Sequence, residues 1–251
     1  MLAQQTIERL HQLRLTGMAQ AFGAQLHDTS YHNLSFEERF GLLVEQEWLY
    51  RQNKRLARLL RQAQLRLPAC LEDIDYVTPR GLDRGLMKSL GTCQWIREHL
   101  NILISGPTGV GKTFLACAFA NAACRQGFSA RYYRVSRLLQ ELSLARGDGS
   151  YPRLLSQLAK IELLVLDDWG LAPFTETSGR DLLEVIDDRW QVRSTIVASQ
   201  LPLEHWHSLF PDPTVADAVL DRLVHNAHKI NLKGESLRKV KSSLGQGKML
   251  S

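Results

Sequence analysis

The 251-residue chain is poor in cysteine and has no long apolar run. Its four cysteines, at positions 70, 93, 117 and 124, form no C-x-x-C pair. They are typical of small buried side chains in a reducing cytosol, and they imply no metal site. No apolar segment approaches the ~20 residues of a membrane-spanning helix, so no membrane association is expected. The polar start, M-L-A-Q-Q-T-I-E-R-L, is unlike a signal peptide, and we expect a cytoplasmic location.

The composition is otherwise that of an ordinary globular protein. Hydrophobic residues make up 44% of the chain and charged residues 23%. The net charge of +5 favours polyanionic partners only mildly. Internal repeats and low-complexity tracts are absent from the sequence. The composition therefore does not indicate a function, which has to be inferred from local motifs.

The most informative stretch runs from Leu100 to Thr113 and reads L-N-I-L-I-S-G-P-T-G-V-G-K-T. An apolar strand breaks into a loop with the spacing G-x-x-x-x-G-K-[ST], which is typical of phosphate binding. Glycines let backbone N–H groups approach phosphate oxygens, and the following helix directs its positive end at them. Lys112 would contact the β- and γ-phosphates of ATP, and Thr113 would ligate Mg²⁺. The predicted nucleotide-binding residues are Gly106, Pro107, Thr108, Gly109, Val110, Gly111, Lys112 and Thr113.

A second motif, L-L-V-L-D-D-W-G, places two acids at the end of a buried strand about fifty residues later. In open α/β sheets the ligand lies outside the carboxyl ends of the strands. Asp167 is therefore predicted to hold Mg²⁺, directly or through water, and Asp168 to orient or deprotonate the attacking water. The alternative is an acidic turn with no catalytic role, which the preceding phosphate loop disfavours.

The remaining pattern predicts an α/β domain preceded by a small helical one. Residues 1–67 show helical patterns without strand signals, residues 68–85 form a linker rich in turn residues, and residues 86–251 alternate strands and helices. A long helix is expected from about Phe36 to Arg66, opened by a Ser35/Glu38 capping box. The alternation predicts a parallel sheet with flanking helices.

The second half of that long helix carries basic residues on one face, at a spacing of three or four. No acid lies between Arg51 and Arg66. Two interpretations stay open, a solvated basic face and a surface that follows a phosphate backbone. On the second, the DNA-binding residues are Arg51, Lys54, Arg55, Arg58 and Arg61.

The order of these parts resembles the IstB family. The resemblance rests on the two motifs above, on L-D-R-L-V-H-N-A and on G-E-S-L-R-K, and it covers essentially the whole chain. IstB proteins are AAA+ ATPase helpers of insertion sequences whose transposase is IstA, and they are similar to the helicase loaders DnaC and DnaI. The resemblance implies an AAA+ core that hydrolyses ATP with Mg²⁺, binds duplex DNA, self-associates and assists an IstA-type transposase.

The resemblance also implies roles for three further residues. Gln200, beside Ser199 at the end of the strand T-I-V-A-S-Q, falls at the first sensor position, where Asn is usual. Either side chain, or neither, could act there, because a polar strand end is also a common turn. Arg222 would be an arginine finger for a neighbouring subunit, or a surface salt bridge. Arg238 would be a second sensor, or part of a basic tail.

Three rival functions share the phosphate loop. A replicative helicase loader would have the same ATPase motifs and differ in its partner. A small-molecule kinase would need an acceptor pocket and a lid, and the D-D-W-G strand with Arg222 and Arg238 disfavours it. A nucleotide switch would bind ATP with little hydrolysis.

Overall fold

The computed structural model describes residues 2–237. Its contacts divide the chain into two compact units, one reaching from the amino terminus to Arg58 and one beginning at Leu59. The predicted boundaries at residues 67 and 85 remain predictions, because compactness alone does not fix a functional domain.

The amino-terminal unit consists of helices. Helix α1 spans Leu2–Gln12, α2 spans Thr16–His27, and α3 spans Phe36–Ala63 and continues past the end of the unit. The predicted capping box is confirmed: the Ser35 amide donates to Glu38 Oε2 at 2.8 Å, and the Glu38 amide donates to Ser35 Oγ at 3.2 Å. These bonds satisfy amides that helix formation leaves without intrahelical partners.

The carboxyl-terminal unit alternates strands and helices. Its elements are α4 (Arg84–Gly91), α5 (Gln94–Arg97), β1 (Asn101–Ser105), α6 (Lys112–Arg125), β2 (Ala130–Arg134), α7 (Val135–Asp148), α8 (Tyr151–Lys160), β3 (Leu163–Trp169), α9 (Glu176–Asp187), β4 (Ser194–Ser199), α10 (Pro213–Val224) and β5 (Ala227–Asn231).

The five strands form one parallel sheet in the order β2-β3-β4-β1-β5. The sequence prediction of an α/β fold with a parallel sheet is confirmed. Because all strands run the same way, their carboxyl ends meet at one edge. Strand β4 lies between β1 and β3. The residues that end β4 therefore separate the loop after β1 from the acids at the end of β3.

The core is built from apolar strands covered by helices. Leu163–Leu166 of β3 is fully buried, as expected for a central parallel strand. One charged side chain, Arg189, is buried among these layers, and its guanidinium donates to the carbonyls of Leu158, Ile161 and Ser194. Burial lowers the pKa of Arg189 to about 9. These bonds connect α8, α9 and β4 at the amino ends of the strands, opposite the phosphate loop.

Residues in the left-handed region interrupt the helical path at two places. Cys93, with a φ of 58°, separates α4 from α5. Helix α3 stops at Ala63 rather than Arg66, because Gln64 has a φ of 49°. Arg66 therefore lies outside the helix, in the segment that leads into the rest of this unit.

Candidate functional site

The phosphate loop follows β1 and leads directly into α6. Gly106, Gly109 and Gly111 all have left-handed φ values, of 145°, 86° and 102°. A Cβ on Gly106 would lie 2.3 Å from the carbonyl oxygen of Leu232, so only glycine fits there. Gly111 precedes α6 and has no side chain to cap it, which leaves the positive end of the helix for an anion.

Lys112 is held inside this loop. Its Nζ atom donates to the carbonyls of Gly106 at 2.7 Å and Pro107 at 2.8 Å, and only 8% of the residue is exposed. Burial lowers the pKa of Lys112, opposed by the charges of Asp167 and Asp168. The loop thus combines backbone amides with one buried cation, which is the donor set that a triphosphate requires.

The carboxylate of Asp167 connects the loop to β3. Thr113 Oγ1 donates to Asp167 Oδ2 at 2.7 Å, which brings together two residues that lie far apart in the sequence. The Asp168 amide donates to Asp167 Oδ1 at 2.9 Å. A hydroxyl and a carboxylate in contact are the oxygen ligands that Mg²⁺ takes from proteins, alongside phosphate and water oxygens. Among residues 2–237, no cluster of three or more His, Cys, Asp or Glu side chains offers an alternative metal site.

Sequence reasoning missed a further partner of Asp167. The hydroxyl of Tyr132, on β2, donates to Asp167 Oδ2 at 2.7 Å and is buried. Burial raises the pKa of Tyr132, and the hydrogen bond to Asp167 raises it further, so this residue stays a neutral donor. The signal in the sequence is a tyrosine in the segment A-R-Y-Y-R-V, but its relevance depends on β2 pairing with β3.

Asp168 is held in an unusual backbone conformation at the end of β3. Its φ is 59°, in the left-handed region that residues other than glycine rarely occupy. The next residue, Trp169, is anchored by ring contacts with Phe174 and Trp206, at centroid distances of 5.2 and 5.6 Å. Such strained residues cluster at functional sites, where the surrounding packing maintains them.

Ser199 and Gln200 lie at the end of β4, and their side chains contact different parts of the site. Ser199 is buried, and its Oγ donates to the carbonyl of Trp169 at 2.8 Å, so it fixes the strand that carries the acids. Gln200 Oε1 accepts a hydrogen bond from Thr108 Oγ1 of the phosphate loop at 2.7 Å. Of the two, Gln200 is the one whose side chain reaches the loop.

A buried arginine, Arg80, hydrogen bonds to the phosphate loop, and local sequence patterns did not predict this contact. Arg80 donates to the carbonyls of Val110 at 2.9 Å and Asp75 at 2.8 Å. Burial lowers the pKa of Arg80, although the charge of Asp75 opposes the shift. Beside it opens a cavity of about 230 Å³, whose lining includes Leu67, Asp73, Asp75, Arg80, Gly109, Gly111, Thr113, Phe114 and Leu237.

Comparison with known proteins identifies the family of this chain. Residues 8–245 match the family model described as IstB-like ATP binding protein. The chain belongs to the IstB-like ATP-binding protein family. The family description is that of an ATP-binding protein, and the phosphate loop described above is the part of this chain whose donor groups suit a nucleotide.

Individual IstB-like relatives are similar along most of their length. The chain is 52% identical over 239 residues to the insertion-sequence ATP-binding protein y4pL of Sinorhizobium fredii, covering 95% of this chain and 98% of that one. It is 54% identical over 203 residues to an ATP-binding protein of insertion sequence IS1162 from Pseudomonas fluorescens, covering 80% and 88%.

The fold is that of AAA+ P-loop proteins. The crystal structure of DnaI matches with a TM-score of 0.55 over 70% of this chain and 93% of that one. Sequence identity in this match is 21%, so the similarity bears on the fold alone. The AAA+ core predicted for this IstB-like chain is confirmed.

Arg222 lies at the opposite edge of the sheet from the phosphate loop. Asn101, the first residue of β1, donates through Nδ2 to the carbonyl of Arg222 at 3.3 Å. Since β1 rises about 3.3 Å per residue, its two ends are ~13 Å apart. The Arg222 guanidinium pairs with Asp187 of α9 and lies 5.6 Å from the centre of the Trp190 ring. Arg222 is therefore remote from the phosphate loop of its own chain.

The five basic residues predicted to bind DNA are all exposed, but they differ in their partners. Arg51 Nε donates to Glu47 Oε1 at 2.7 Å, and Glu47 also accepts from the Met18 amide at 3.0 Å. Glu47 therefore connects α3 to α2, and the Arg51 side chain is engaged by the same carboxylate. Lys54 lies 5.8 Å above the Tyr50 ring. The others are Arg55, Arg58 and Arg61.

Two further predictions concern Arg238 and membrane-spanning helices. Arg238 lies outside the described residues, but the amide of Leu237, just before it, donates to the Gly109 carbonyl at 3.0 Å. Between residues 2 and 237, no helix has the length and apolarity needed to cross a membrane.

Replacing Lys112 with Ala should abolish ATP binding, because the substitution removes the cation that the loop encloses. We expect the fold to persist, since the Lys112 hydrogen bonds are confined to the loop. Equilibrium binding of a fluorescent ATP analogue measures the effect, with Lys160→Ala as the control because Lys160 is exposed at the end of α8. Wild-type affinity in Lys112→Ala would contradict the assignment of the loop.

Proposed function

We propose that this IstB-like protein hydrolyses ATP and uses it to assemble on duplex DNA, where it assists an IstA-type transposase. The observation that carries the proposal is the contact between Thr113 and Asp167 at 2.7 Å, which joins the phosphate loop to the acidic strand end. A loop that only bound an anion would need no such carboxylate.

The residues around this contact would have different roles in ATP hydrolysis. Lys112 and the amides of the phosphate loop would hold the β- and γ-phosphates. Thr113 and Asp167 would hold Mg²⁺, which neutralises charge on the phosphate oxygens when bound. Asp168 is a candidate base for the attacking water, and its partly exposed carboxylate leaves access for that water.

Gln200 would be the sensor of the γ-phosphate. Its hydrogen bond to Thr108 places the amide group next to the loop. The amide also has two N–H donors, so it can bond to a phosphate oxygen while its carbonyl contacts Thr108. Ser199 would act indirectly, by fixing the strand end through Trp169.

The position of Arg222 supports self-association. An arginine finger stabilises the charge that develops on the transferring phosphoryl group and must reach it directly. Arg222 lies across the length of β1 from its own phosphate loop, which supports a role at the site of another subunit. It also borders an open groove of about 720 Å³ that Leu203, His207, Asp217, Asp221 and His225 help to line. This surface is where we place the neighbouring subunit.

DNA binding rests on the charge of α3. Its second half presents exposed cations at helical spacing, and Arg51 is partly committed to Glu47. Contacts of this kind go to phosphates and carry little sequence information. Binding by one subunit would be weak, and ATP-dependent assembly would strengthen it through multivalency.

A helicase loader is the closest rival, because it would share the ATPase core. The relatives at 52% and 54% identity are named for insertion sequences, which favours transposition. The kinase alternative is disfavoured because Thr113 and Asp167 belong to an AAA+ core in an IstB-like chain. The nucleotide switch is distinguished by measuring phosphate release.

Mixing two inactive variants tests hydrolysis at subunit interfaces. Arg222→Ala should bind ATP yet lose phosphate release by a factor of ~10³, and Lys112→Ala should not bind ATP. Mixed together, they should recover part of the activity, because each chain supplies what the other lacks.

The matched control is the double variant Lys112→Ala/Arg222→Ala mixed with Arg222→Ala, which has no intact finger and should stay inactive. Absence of recovery in assemblies shown to contain both single variants would exclude action in trans. Absence of phosphate release by the wild type, in the presence of DNA and nucleotide, would leave the switch interpretation standing.

The salt dependence of DNA binding tests the role of α3. Changing Lys54 and Arg58 together to Ala should weaken ATP-dependent binding to duplex DNA. It should also flatten the plot of log affinity against log salt, since each lost phosphate contact removes about 0.9 from the slope.

The control for that experiment is Lys160→Ala/Arg180→Ala, which removes the same charge from exposed positions of the carboxyl-terminal unit. ATP affinity should be unchanged in both double variants. Equal affinity and slope in Lys54→Ala/Arg58→Ala and the wild type would mean that DNA follows another surface.

A further inference from the structure

Arg66 lies beside the two acids of the ATP site, although it follows the helix that carries the basic residues. Helix α3 ends at Ala63, and Gln64 turns the chain out of the helical path. The next residue, Leu67, lines the cavity beside the phosphate loop.

The guanidinium of Arg66 faces both carboxylates. Its Nη1 atom lies 3.6 Å from Asp168 Oδ2 and 3.9 Å from Asp167 Oδ2. A hydrogen bond with Tyr132 raises the pKa of Arg66, and the charges of Asp168 and Asp167 act in the same direction. The side chain is 42% exposed, so solvent reaches it while its guanidinium faces the acids.

The oxygen that Arg66 faces on Asp167 is the one that contacts Thr113. Asp167 Oδ2 is therefore shared by the Thr113 hydroxyl, the Tyr132 hydroxyl and the charge of Arg66. Thr113 and Asp167 fit a Mg²⁺ ion by their chemistry, and a guanidinium at the same carboxylate would compete with that ion. The same cation also neutralises Asp168, the candidate base.

We propose that Arg66 is a positioning residue that restrains Asp167 and Asp168 until Mg²⁺ and ATP displace it. The inference rests on the proposed function, because it concerns the same acids and the same nucleotide. Arg66 touches the carboxylates and acts through them. A restraint built from a long, partly exposed ion pair is weak, so its effect is a factor of a few rather than a full block.

The test is a Mg²⁺ titration of the binding of a fluorescent ATP analogue, which needs no hydrolysis. In Arg66→Ala the carboxylates lose their competing cation, so half-maximal binding should need about two- to fivefold less Mg²⁺ than in the wild type. Arg66→Lys keeps a positive charge near the acids and should stay close to the wild type.

The matched control is Arg125→Ala, which removes an arginine from an exposed ion pair with Glu72 elsewhere in the same unit. It should leave the Mg²⁺ requirement unchanged. Phosphate release measured at limiting Mg²⁺ should rise in Arg66→Ala by a similar factor and converge with the wild type at saturation. Thermal unfolding of each variant, compared with the wild type, confirms that the fold is intact.

An unchanged or higher Mg²⁺ requirement in Arg66→Ala would overturn the proposal, as would nucleotide binding by the wild type that does not depend on Mg²⁺. Slower phosphate release with an unchanged Mg²⁺ requirement would instead make Arg66 a cation that assists hydrolysis, which also overturns the proposal. If the wild type binds Mg²⁺ and nucleotide but releases no phosphate, the proposed hydrolysis fails while the titration still decides the role of Arg66.

Discussion

The hydrogen bonds to the buried carboxylate of Asp167 are the constraint on which the rest of the site depends. Burying a charge is costly unless it is paired or hydrogen-bonded, and Asp167 is only 1% exposed. Its donors come from three places, the Thr113 hydroxyl on α6, the Tyr132 hydroxyl on β2 and the backbone of Asp168. Satisfying this one group requires β2 to pair with β3 and α6 to begin beside them. The phosphate loop and the acids are thereby fixed relative to each other before any nucleotide binds.

The two edges of the sheet divide the proposed chemistry between subunits. The carboxyl edge carries the loop, the acids and Gln200. At the other edge, Arg222 is held by Asp187 and by the ring of Trp190. An ion pair of this kind orients the guanidinium without consuming all of its donors, since arginine has five N–H groups. One chain would thus offer a nearly complete ATP site at one edge and the missing cation at the other, which explains why assembly and hydrolysis would depend on each other.

Local motifs predicted the strands, the phosphate loop and the two acids, because each depends on residues that are neighbours in the sequence. Contacts across the sheet could not be predicted in the same way. Tyr132 matters only because β2 lies next to β3, and Arg80 only because it reaches the back of the loop from thirty residues away. The sequence pattern extends the basic helix to Arg66, since nothing local shows that the chain leaves the helix at Gln64. The interpretation of Arg51 also changed, because its partner Glu47 lies one helical turn before the segment that was free of acids.

The central claim is that the protein hydrolyses ATP with Asp168 as the base. The most direct test is the rate of phosphate release in a single turnover of the Asp168→Asn variant. Asparagine keeps the size of the side chain and the neighbouring Asp167 but removes the charge that accepts a proton. The account predicts wild-type affinity for ATP in the presence of Mg²⁺, with release slowed by about 100-fold or more. Release at the wild-type rate from Asp168→Asn, with ATP bound at the phosphate loop, would contradict it.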